Sequence, residues 1–525
     1  MIQSNHPRRP PFNASSKVIS FGDAPAVMDG LRGRGLRIVQ CHGTFDLVHP
    51  GHIVHFEEAH ELGDVLVVTV TAAKFVNKGP GRPYFDDEMR VKALAALAMV
   101  NYVVLVPFPA AVEAIESIRP DCYCKGREYE DPGNDVTGNI SADVATVSRV
   151  GGTVHYVGSV VFSSTRLINH ALEAVPKAAN DRCRELARAF TPERFRNTID
   201  GFARLRVLAI GDIIFDRYTY VHVLGLTSKN RTLSTRRLDE ETHAGGILAV
   251  AHHLSQFTKT VDVLSIAGTE PWVDGMLDEH LGDRNRHVVR HPDFTTVVKQ
   301  RFIEHAKRSS EISKLFAVNF IDNEPPHDGV EDEICRMVNR VIGDYDLVLV
   351  ADFGHGLLLP RVRELVQERA AVMALNCQTN SFNHGFNIIN RQYRRADFLS
   401  LDEQELMLAC GHRHPDYPAE LGALARSFGC RAAWLTRGAE EALGFDGATG
   451  AIAHMPRLEG QIVDTVGAGD AFFIGVALAG AAGLPIDLAT FVGQLAGAQA
   501  VRIPGNREPI RKDVLVRGGM NLLNQ

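Results

Sequence analysis

The chain of 525 residues has little cysteine, no long apolar run and no excess of positive charge. Its eight cysteines are scattered, with no spacing typical of a disulfide framework or a zinc knuckle, which predicts reduced thiols in a cytoplasmic protein. The most apolar stretch, residues 471–483, ends at Pro485 and Asp487, short of the ~20 residues that a membrane-spanning helix needs. We therefore expect a buried helix there and no membrane partner.

The charge balance argues against nucleic acid as the main partner. The formal net charge is -7, whereas proteins that hold nucleic acid usually present a basic face to its phosphates. With 45% hydrophobic and 23% charged residues, the composition is that of an ordinary globular protein. The length corresponds to about two to four domains. Small-molecule chemistry is the function class that these numbers favour.

Apolar strands alternate with helices along the chain, which predicts an α/β fold with two doubly wound domains. A leader over residues 1–35 lacks an apolar core, so we expect it to be flexible and not a signal peptide. The first domain is predicted over 36–172, a helical connector over 173–204 and the larger second domain over 205–525. A β-rich insert at 218–237 predicts a small lid.

A histidine motif lies where the first predicted strand gives way to the first helix. Residues 43–52 have the sequence GTFDLVHPGH. Gly51 leaves room for a triphosphate, and His49 and His52 can donate hydrogen bonds to charge that develops at an attacked α-phosphate. A zinc site on these two histidines and His55 is the less favoured alternative, because no carboxylate or cysteine ligand accompanies them.

This motif resembles the signature of the cytidylyltransferase-like nucleotidyltransferases. Further blocks follow in the order found in the adenylyltransferase half of the bifunctional heptose-phosphate enzymes; they lie at 78–79, 82–83, 88–90, 125–129 and 163–166. The resemblance implies that His49 and His52 bind the nucleotide phosphates and that Lys125 neutralises charge on them. The other implied nucleotide-binding residues are Gly43, Thr44, Phe45, Gly51, Arg90, Ser164 and Thr165.

Two charged residues of this region have alternative roles. Arg90 either supports the nucleotide site or forms an ion pair on a helix surface. We expect Asp46 to stabilise the turn and not to act as a base, because an attacking sugar phosphate is already an anion. Such a reaction needs positioning and electrostatics and no protein nucleophile.

A glycine-rich motif precedes the apolar helix near the end of the chain. Residues 464–470 have the sequence DTVGAGD. Gly467 and Gly469 let consecutive amides turn toward one anion at a helix N-terminus. Asp470 is placed to accept the proton of a substrate hydroxyl while the amides hold the transferred phosphoryl group.

This motif resembles the signature of the ribokinase-like carbohydrate kinases, whose other blocks follow in the expected order. The resemblance implies ATP as phosphoryl donor, Mg²⁺ as cofactor and, as one option, a homodimer through this half. The implied sugar-binding residues are Asp212, Asp216, Gly245 and Gly246; the nucleotide-binding residues are Thr436, Gly438, Gly467, Ala468 and Gly469; the magnesium pair is Asp402 and Glu405. Asp212 and Asp216 have turn capping as the alternative role.

Several positions depart from the kinase pattern, one of them Asp402, which stands in place of an asparagine in the magnesium motif. Ala249 stands in place of an asparagine and Glu441 in place of a glycine. Asn376 and Gln378 stand where heptose kinases have Asp-Pro-Lys, and His355 stands where a lysine is expected. The base and the anion-binding glycines remain, so phosphoryl transfer is still predicted, but on a substrate that the pattern does not define.

The leading hypothesis is a bifunctional enzyme of sugar-nucleotide biosynthesis, with its halves in the reverse of the order in the heptose enzymes. The first half would couple heptose 1-phosphate to ATP, giving ADP-heptose and pyrophosphate. The second half would phosphorylate heptose 7-phosphate with ATP. One alternative keeps the transferase but makes the kinase half a degenerate domain that binds ligand or dimerises. Another is a CTP-dependent transferase acting on a polyol or alcohol phosphate.

Overall fold

The computed structural model of the chain divides into two compact units, residues 1–174 and 175–525. The residues that it describes are 14–76, 82–127, 130, 140–158, 175–282, 286–304, 313–322, 326, 328–460 and 462–524. Both units are α/β, as the sequence predicts. Among the described helices, none combines the length and the apolar character that crossing a membrane requires.

The first unit is built on a six-stranded parallel sheet in the order β1-β4-β3-β2-β5-β6. Its strands are β1 Val18–Ile19, β2 Ile38–Gly43, β3 Val65–Thr71, β4 Tyr102–Val106, β5 Cys122–Gly126 and β6 Thr153–Val157. Its described α-helices are α1 Ala24–Gly33, α2 Pro50–His60, α3 Asp87–Ala95, α4 Val112–Ile118 and α5 Ile140–Arg149. Every residue of β3 is buried, as expected for a central strand covered on both faces.

The structure differs from the predicted flexible leader over residues 14–35. Within this segment β1 pairs with β4, and α1 buries Ala24, Met28 and Leu31 against the sheet. These three residues are spaced by four and three positions, which is the pattern of one helix face. The composition of the whole leader, rich in Pro, Ser and Asn, conceals this short amphipathic helix.

The second unit has a nine-stranded main sheet and a separate four-stranded sheet. The main strands are β7 Arg206–Gly211, β10 Thr260–Ala267, β11 Arg286–Arg290, β14 Leu347–Asp352, β15 Met373–Cys377, β16 Phe398–Asp402, β17 Ala432–Thr436, β18 Glu441–Asp446 and β19 Ile452–Pro456. Their order is β11-β10-β7-β14-β15-β16-β17-β18-β19, parallel except where β18 meets β17 and β19.

The described α-helices of this unit alternate with its strands along the chain. They are α6 Lys177–Ala187, α7 Pro192–Gly201, α8 Gly246–Leu254, α9 Val273–Leu281, α10 Asp328–Val341, α11 Pro360–Arg369, α12 Ile389–Gln392, α13 Glu403–Cys410, α14 Tyr417–Phe428, α15 Ala468–Ala481, α16 Ile486–Ala500 and α17 Lys512–Leu523. Residues 471–479 of α15 are all buried, which confirms the buried helix predicted near residue 471.

The four-stranded sheet is larger than the lid predicted at residues 218–237. It contains β8 Ile213–Leu226, β9 Leu233–Gly245, β12 Val297–Glu304 and β13 Ser313–Phe320, in the order β13-β12-β8-β9. Asp212 is the only residue between β7 of the main sheet and β8 of the lid. The hairpin of β8 and β9 is local in sequence, whereas β12 joins it only through long-range pairing.

The segment predicted as a connector, residues 173–204, folds mainly as α6 and α7 and belongs to the second unit. Both helices pack on α17. The Phe195 ring of α7 also contacts Phe491 at 5.7 Å between centroids. Arg182 of α6 donates to the carbonyl of His454 at 3.1 Å and pairs with Asp487. The apolar faces of these helices are therefore covered by the rest of the second unit.

Candidate active sites

The histidine motif lies at the carboxyl edge of the first sheet. β2 pairs with β3 on one side and with β5 on the other, so the strand order reverses beside it. Open α/β sheets bind ligands in the crevice at such a reversal. The motif leaves β2 and enters α2 at Pro50, which places its glycine and histidine residues at this crevice.

His49 caps α2 and stacks on His52. Its Nδ1 accepts the backbone N–H of His52 at 3.4 Å, and the two rings stack with 3.8 Å between centroids. The Phe45 ring meets His52 edge-on at 5.3 Å. Burial lowers the pKa of His49, which favours the neutral ring. Because Nδ1 accepts a hydrogen bond, the remaining proton is assigned to Nε2, which makes that atom a donor.

Asp46 has a structural role, but its carboxylate binds a segment distant in sequence and not its own turn. Its carboxylate accepts the backbone N–H groups of Tyr84 at 2.8 Å and Phe85 at 3.0 Å. Arg82 Nε lies 2.7 Å from the same carboxylate, and both charged side chains are buried. The pair therefore ties the motif to the segment that precedes α3.

Asp46→Asn should lower the free energy of unfolding of the first unit by about 3–5 kcal/mol, because it leaves the Arg82 guanidinium buried without its counter-charge. The measurement is urea-dependent hydrogen exchange of peptides from this unit in the full chain. Asp29→Asn is the matched control, since Asp29 pairs with Arg32 and Arg119 at the surface. This substitution should change the free energy of unfolding by less than about 1 kcal/mol. Equal effects of the two substitutions would contradict this role of the buried pair.

Arg90 is buried and not on the helix surface, but it does form an ion pair within α3, with the half-exposed Asp87. Its Nη1 donates to the carbonyls of Thr44 at 2.6 Å and Thr71 at 2.9 Å, and its Nη2 donates to Asp87 at 2.5 Å. Thr44 follows β2 and Thr71 ends β3. Arg90 thus joins two neighbouring strand ends and supports the backbone of the motif.

Lys125, near the end of β5, is held by a residue that sequence reasoning missed. Its Nζ lies 2.9 Å from the buried Asp143 carboxylate, which also accepts the Tyr123 hydroxyl at 3.1 Å. Burial and, secondarily, the charge of Lys125 lower the pKa of His42 to about 3. No local pattern links Asp143 to Lys125, because they lie on different elements. The predicted Ser164 and Thr165 lie outside the described residues.

The glycine-rich motif forms the N-terminus of α15 as predicted. Gly467 caps the helix with a φ of +80°, and a Cβ there would lie 1.8 Å from the Asn506 side chain, so only glycine fits. Ala468 and Gly469 begin the helix, and Asp470 lies in its first turn. The backbone amides of this turn can therefore converge on an anion beside a carboxylate.

Asp470 is partly buried and accepts a hydrogen bond from Gln378 Nε2 at 2.8 Å. Burial raises the pKa of Asp470 to about 6; the bond from Gln378 opposes this shift, Asp216 adds to it, and Lys299 opposes it. The carboxylate is thus mostly ionised at pH 7 but is a stronger base than an exposed aspartate.

Asp212 positions a loop at the carboxyl end of β14. Its carboxylate accepts the backbone N–H groups of His355 at 3.2 Å and Leu357 at 3.0 Å. Burial, reinforced by the charge of Asp352, raises the pKa of Asp212 to about 6. These hydrogen bonds satisfy the buried carboxylate without a ligand, as the turn-capping alternative for Asp212 predicts. The loop that Asp212 holds nevertheless belongs to the candidate kinase site.

Asp216 and the glycine pair lie against one another. A Cβ at Gly245 would come within 2.4 Å of Asp216 Oδ2, and one at Gly246 within 2.5 Å of the Asp212 carbonyl. Asp216 forms an ion pair with Arg301 of the lid, a residue that the sequence analysis did not identify. The structure therefore brings all four predicted sugar-binding residues together and adds a lid arginine.

Asp402 and Glu405 form a capping box at the start of α13. Asp402 Oδ1 accepts the Glu405 N–H at 2.7 Å, and Glu405 Oε2 accepts the Asp402 N–H at 2.8 Å. Burial, Asp402 and also Asp470 raise the pKa of Glu405. A magnesium ion usually takes one or two protein carboxylates plus substrate phosphates. The pair of Asp402 and Glu405 fits that donor set. Among the described residues, no group of three or more side chains could hold a metal ion by itself.

The predicted nucleotide strand β17 ends at Thr436, and Gly438 turns the chain with a φ of +51°. Between them, Arg437 Nη1 lies 3.0 Å from Glu441 Oε1. Glu441 also contacts His454 Nδ1 at 3.0 Å. Glu441, which replaces a glycine of the kinase pattern, therefore contacts two basic side chains at the end of β17. Ala249 is buried within α8.

Comparison with known proteins assigns each unit to a family. Residues 41–194 match the cytidylyltransferase-like model and residues 204–513 match the pfkB family carbohydrate kinase model. In the N-terminal part, the chain is 37% identical over 150 residues to the bifunctional protein HldE of Azorhizobium caulinodans, covering 28% of this chain and 30% of that protein. The HldE protein of Koribacter versatilis is 37% identical over 158 residues, covering 30% and 31%.

These matches cover about a third or less of the length of the curated relatives. Among solved structures, phosphofructokinase-2 from Escherichia coli in complex with potassium is similar with a TM-score of 0.48 at 16% identity, over 59% of this chain and 97% of that chain. The kinase model spans more than half of the sequence. The chain therefore belongs to the pfkB family of carbohydrate kinases and carries a cytidylyltransferase-like domain ahead of the kinase domain.

Proposed function

We propose that the chain is a bifunctional enzyme of sugar-nucleotide biosynthesis, with one active site in each unit. The observation that carries the kinase part is Asp470, a partly buried carboxylate in the first turn of α15 beside the Gly467 cap. Its raised pKa and its place next to convergent amides suit a general base for phosphoryl transfer.

In the proposed kinase step, a substrate hydroxyl gives its proton to Asp470 and its oxygen attacks the γ-phosphorus of ATP. The bond between that phosphorus and the bridging oxygen breaks, and ADP leaves. The amides at residues 467–470 hold the transferred group, and Gln378 keeps the carboxylate in position. Asp402 and Glu405 would hold Mg²⁺, which supplies charge neutralisation at the phosphates.

In the proposed transferase step, a phosphate oxygen of a sugar 1-phosphate attacks the α-phosphorus of ATP, and pyrophosphate leaves. His49 and His52, at the N-terminus of α2, donate hydrogen bonds to the charge that develops there. Lys125, kept in place by Asp143, neutralises charge on the phosphates. Arg90 and Asp46 act indirectly, by holding the backbone of the motif in place.

The proposed sugar is a heptose. The order of the motif blocks in the first unit supports this choice, as does the identity of 37% to proteins named bifunctional protein HldE. The first unit would then convert heptose 1-phosphate to ADP-heptose, and the second would phosphorylate heptose 7-phosphate. A degenerate kinase domain remains the second candidate, because three residues depart from the kinase pattern: Ala249, Asn376 and Gln378.

Product analysis tests this assignment directly. The full chain is incubated with Mg²⁺, each of the four nucleoside triphosphates and a panel of sugar phosphates that includes heptose 1-phosphate and heptose 7-phosphate. Mass spectrometry should detect ADP-heptose with pyrophosphate, and separately ADP with a bisphosphorylated heptose. A strong preference for CTP with an alcohol phosphate would replace the ADP-heptose assignment. No ADP with any sugar or sugar phosphate would identify the kinase half as degenerate.

The kinase reaction should lose activity on the acid side of pH 6. Since burial raises the pKa of Asp470 to about 6, protonation below that pH removes the base. We expect kcat/KM to fall about tenfold per pH unit below the pKa and to level off above it. The measurement is ADP formation between pH 4.5 and 8 at constant ionic strength. A flat profile across that range would contradict Asp470 as the base.

A further inference from the structure

The glycine-rich loop of the kinase unit is held by a buried aspartate to which the proposed reaction gives no role. Asp464 is the first residue of that motif, and its side chain is 3% exposed. Its Oδ1 accepts the N–H of Val466 at 3.2 Å, and its Oδ2 accepts the N–H of Gly505 at 3.2 Å. Asp464 therefore joins the glycine-rich loop to the turn at residues 504–506.

The turn at residues 504–506 packs against both the cap of α15 and the lid. The Asn506 side chain lies so close to Gly467 that a Cβ there would come within 1.8 Å of it. On the lid side, Gly505 lies against Tyr218 of β8, whose hydroxyl oxygen would be 2.5 Å from a Cβ at residue 505. The turn therefore lies between the glycine-rich loop and the four-stranded sheet.

An extra residue in the edge strand β13 directs a lysine of the lid toward Asp464. The pairing of β12 with β13 shifts after Phe302, so that Lys314 stands opposite Ile303. In an unshifted register Leu315 would take this place, and Lys314 would lie on the other face of the sheet. With the shift, Lys314 Nζ lies 2.9 Å from Asp464 Oδ1.

The opposite edge strand of the lid forms a second ion pair with the same region. Glu241 of β9 pairs with Arg507, which directly follows the turn. Glu241 also stands opposite Tyr218 in the pairing of β9 with β8. Because residues directly opposite one another lie on the same face of a sheet, these two side chains reach the turn from one face of the lid. Three strands of the lid, β8, β9 and β13, thus contact this region.

Lys314 supplies the charge that compensates the buried Asp464 carboxylate. Arg301 also interacts electrostatically with Asp464, but it forms its ion pair with Asp216. The Lys314 side chain is 39% exposed, whereas that of Asp464 is 3% exposed. A buried carboxylate depends on its counter-charge far more than a half-exposed lysine does. Loss of the lysine should therefore displace the aspartate together with the backbone amides that it accepts.

We propose that Lys314 is a positioning residue for phosphoryl transfer, which acts through Asp464 to keep the amides at residues 467–470 in place. The geometry of the anion-binding loop then depends on the contact between the loop and an edge strand of the lid. Glu241 and Arg507 hold the same region from the opposite edge. This inference rests on the proposed kinase function, and it gives Lys314 a role that involves no contact with the sugar.

Lys314→Met should lower kcat for ADP formation about tenfold and leave KM for heptose 7-phosphate within about twofold, because displaced amides stabilise the transferred group less in the transition state. Lys314→Arg should restore most of kcat, since a guanidinium also pairs with a carboxylate. Glu241→Gln should act in the same direction with a smaller effect, because its pair with Arg507 is exposed. The measurement is steady-state ADP release at saturating ATP.

Lys229→Met is the matched control, because Lys229 is an exposed lysine between β8 and β9 of the same lid and should behave as wild type. Circular dichroism and thermal melting check that each variant is folded. In an Asp464→Asn background, Lys314→Met should have little further effect, since both substitutions remove the same contact. A full additional loss of kcat in that background would overturn the inference, as would an effect of Lys314→Met confined to KM for the sugar phosphate.

Hydrogen exchange of the full chain without ligands separates this inference from the kinase proposal. The amides of residues 465–470 should exchange about tenfold faster in Lys314→Met than in wild type or in Lys229→Met. That result supports the positioning role even where no sugar yields ADP, which would be failure of the kinase proposal alone. Where ADP is formed but Lys314→Met has the exchange rates and the kcat of wild type, the kinase proposal stands and the positioning role is wrong.

Discussion

Asp470→Asn should reduce phosphorylation of the sugar by about three orders of magnitude, because an amide cannot accept the hydroxyl proton. The substitution keeps the size of the side chain and an oxygen that can accept the bond from Gln378 Nε2, so the local structure should be retained. The transferase reaction belongs to the other unit and should stay within about twofold of wild type.

Two assays on the same preparations measure this effect. ADP formation with a sugar phosphate reports the kinase, and pyrophosphate release with a sugar 1-phosphate reports the transferase. Asp487→Asn is the matched control, since Asp487 is a half-exposed carboxylate that pairs with Arg182 on the same unit. Kinase activity of Asp470→Asn within tenfold of wild type would remove this residue from the role of base.

His52→Ala should cut nucleotidyl transfer by about two to three orders of magnitude, the size expected for loss of a transition-state hydrogen-bond donor. The loss should appear mainly in kcat, because the interaction strengthens as charge develops at the α-phosphate. The ring also stacks on His49 at 3.8 Å and contacts Phe45, so its removal loosens a second histidine of the motif.

His60→Ala serves as the control on the same helix, because His60 is exposed in the last turn of α2, away from its N-terminus. Pyrophosphate release should be nearly unchanged in that variant, and ADP formation should be unchanged in both. If His52→Ala or Asp470→Asn disabled both reactions equally while the chain stayed folded, two independent sites would be the wrong description.

Local patterns accounted for the strands and helices that carry the motifs. The predicted alternation of strands and helices is confirmed, and the histidine motif and the glycine-rich motif begin α2 and α15 as expected. These features depend on periodicity and on backbone conformations that neighbouring residues determine. The missed helix α1 shows the limit, since it is a short helix within a segment whose overall composition suggested a flexible leader.

The partners of the site residues were not predictable in the same way. Asp143 beside Lys125, Arg82 beside Asp46 and Lys299 near Asp470 each join elements that are distant in sequence. Such contacts depend on which strands become neighbours and on which face of a strand a side chain lies. Arg90 illustrates the consequence, because a residue compatible with the helix surface is buried and bonded to two strand ends.

The sequence by itself determined that this is a two-part α/β protein, deficient in the cysteine frameworks, long apolar runs and basic charge of other classes, with a phosphate-binding motif at the start of a helix in each part. These conclusions follow from composition and short-range patterns. Only the tertiary structure decided that the lid contributes a cation to the kinase site and that α6 and α7 pack on the kinase unit. Both features depend on the pairing of strands and the packing of helices that are distant in sequence. The contacts between such segments stabilise the fold, and short-range patterns do not reveal them.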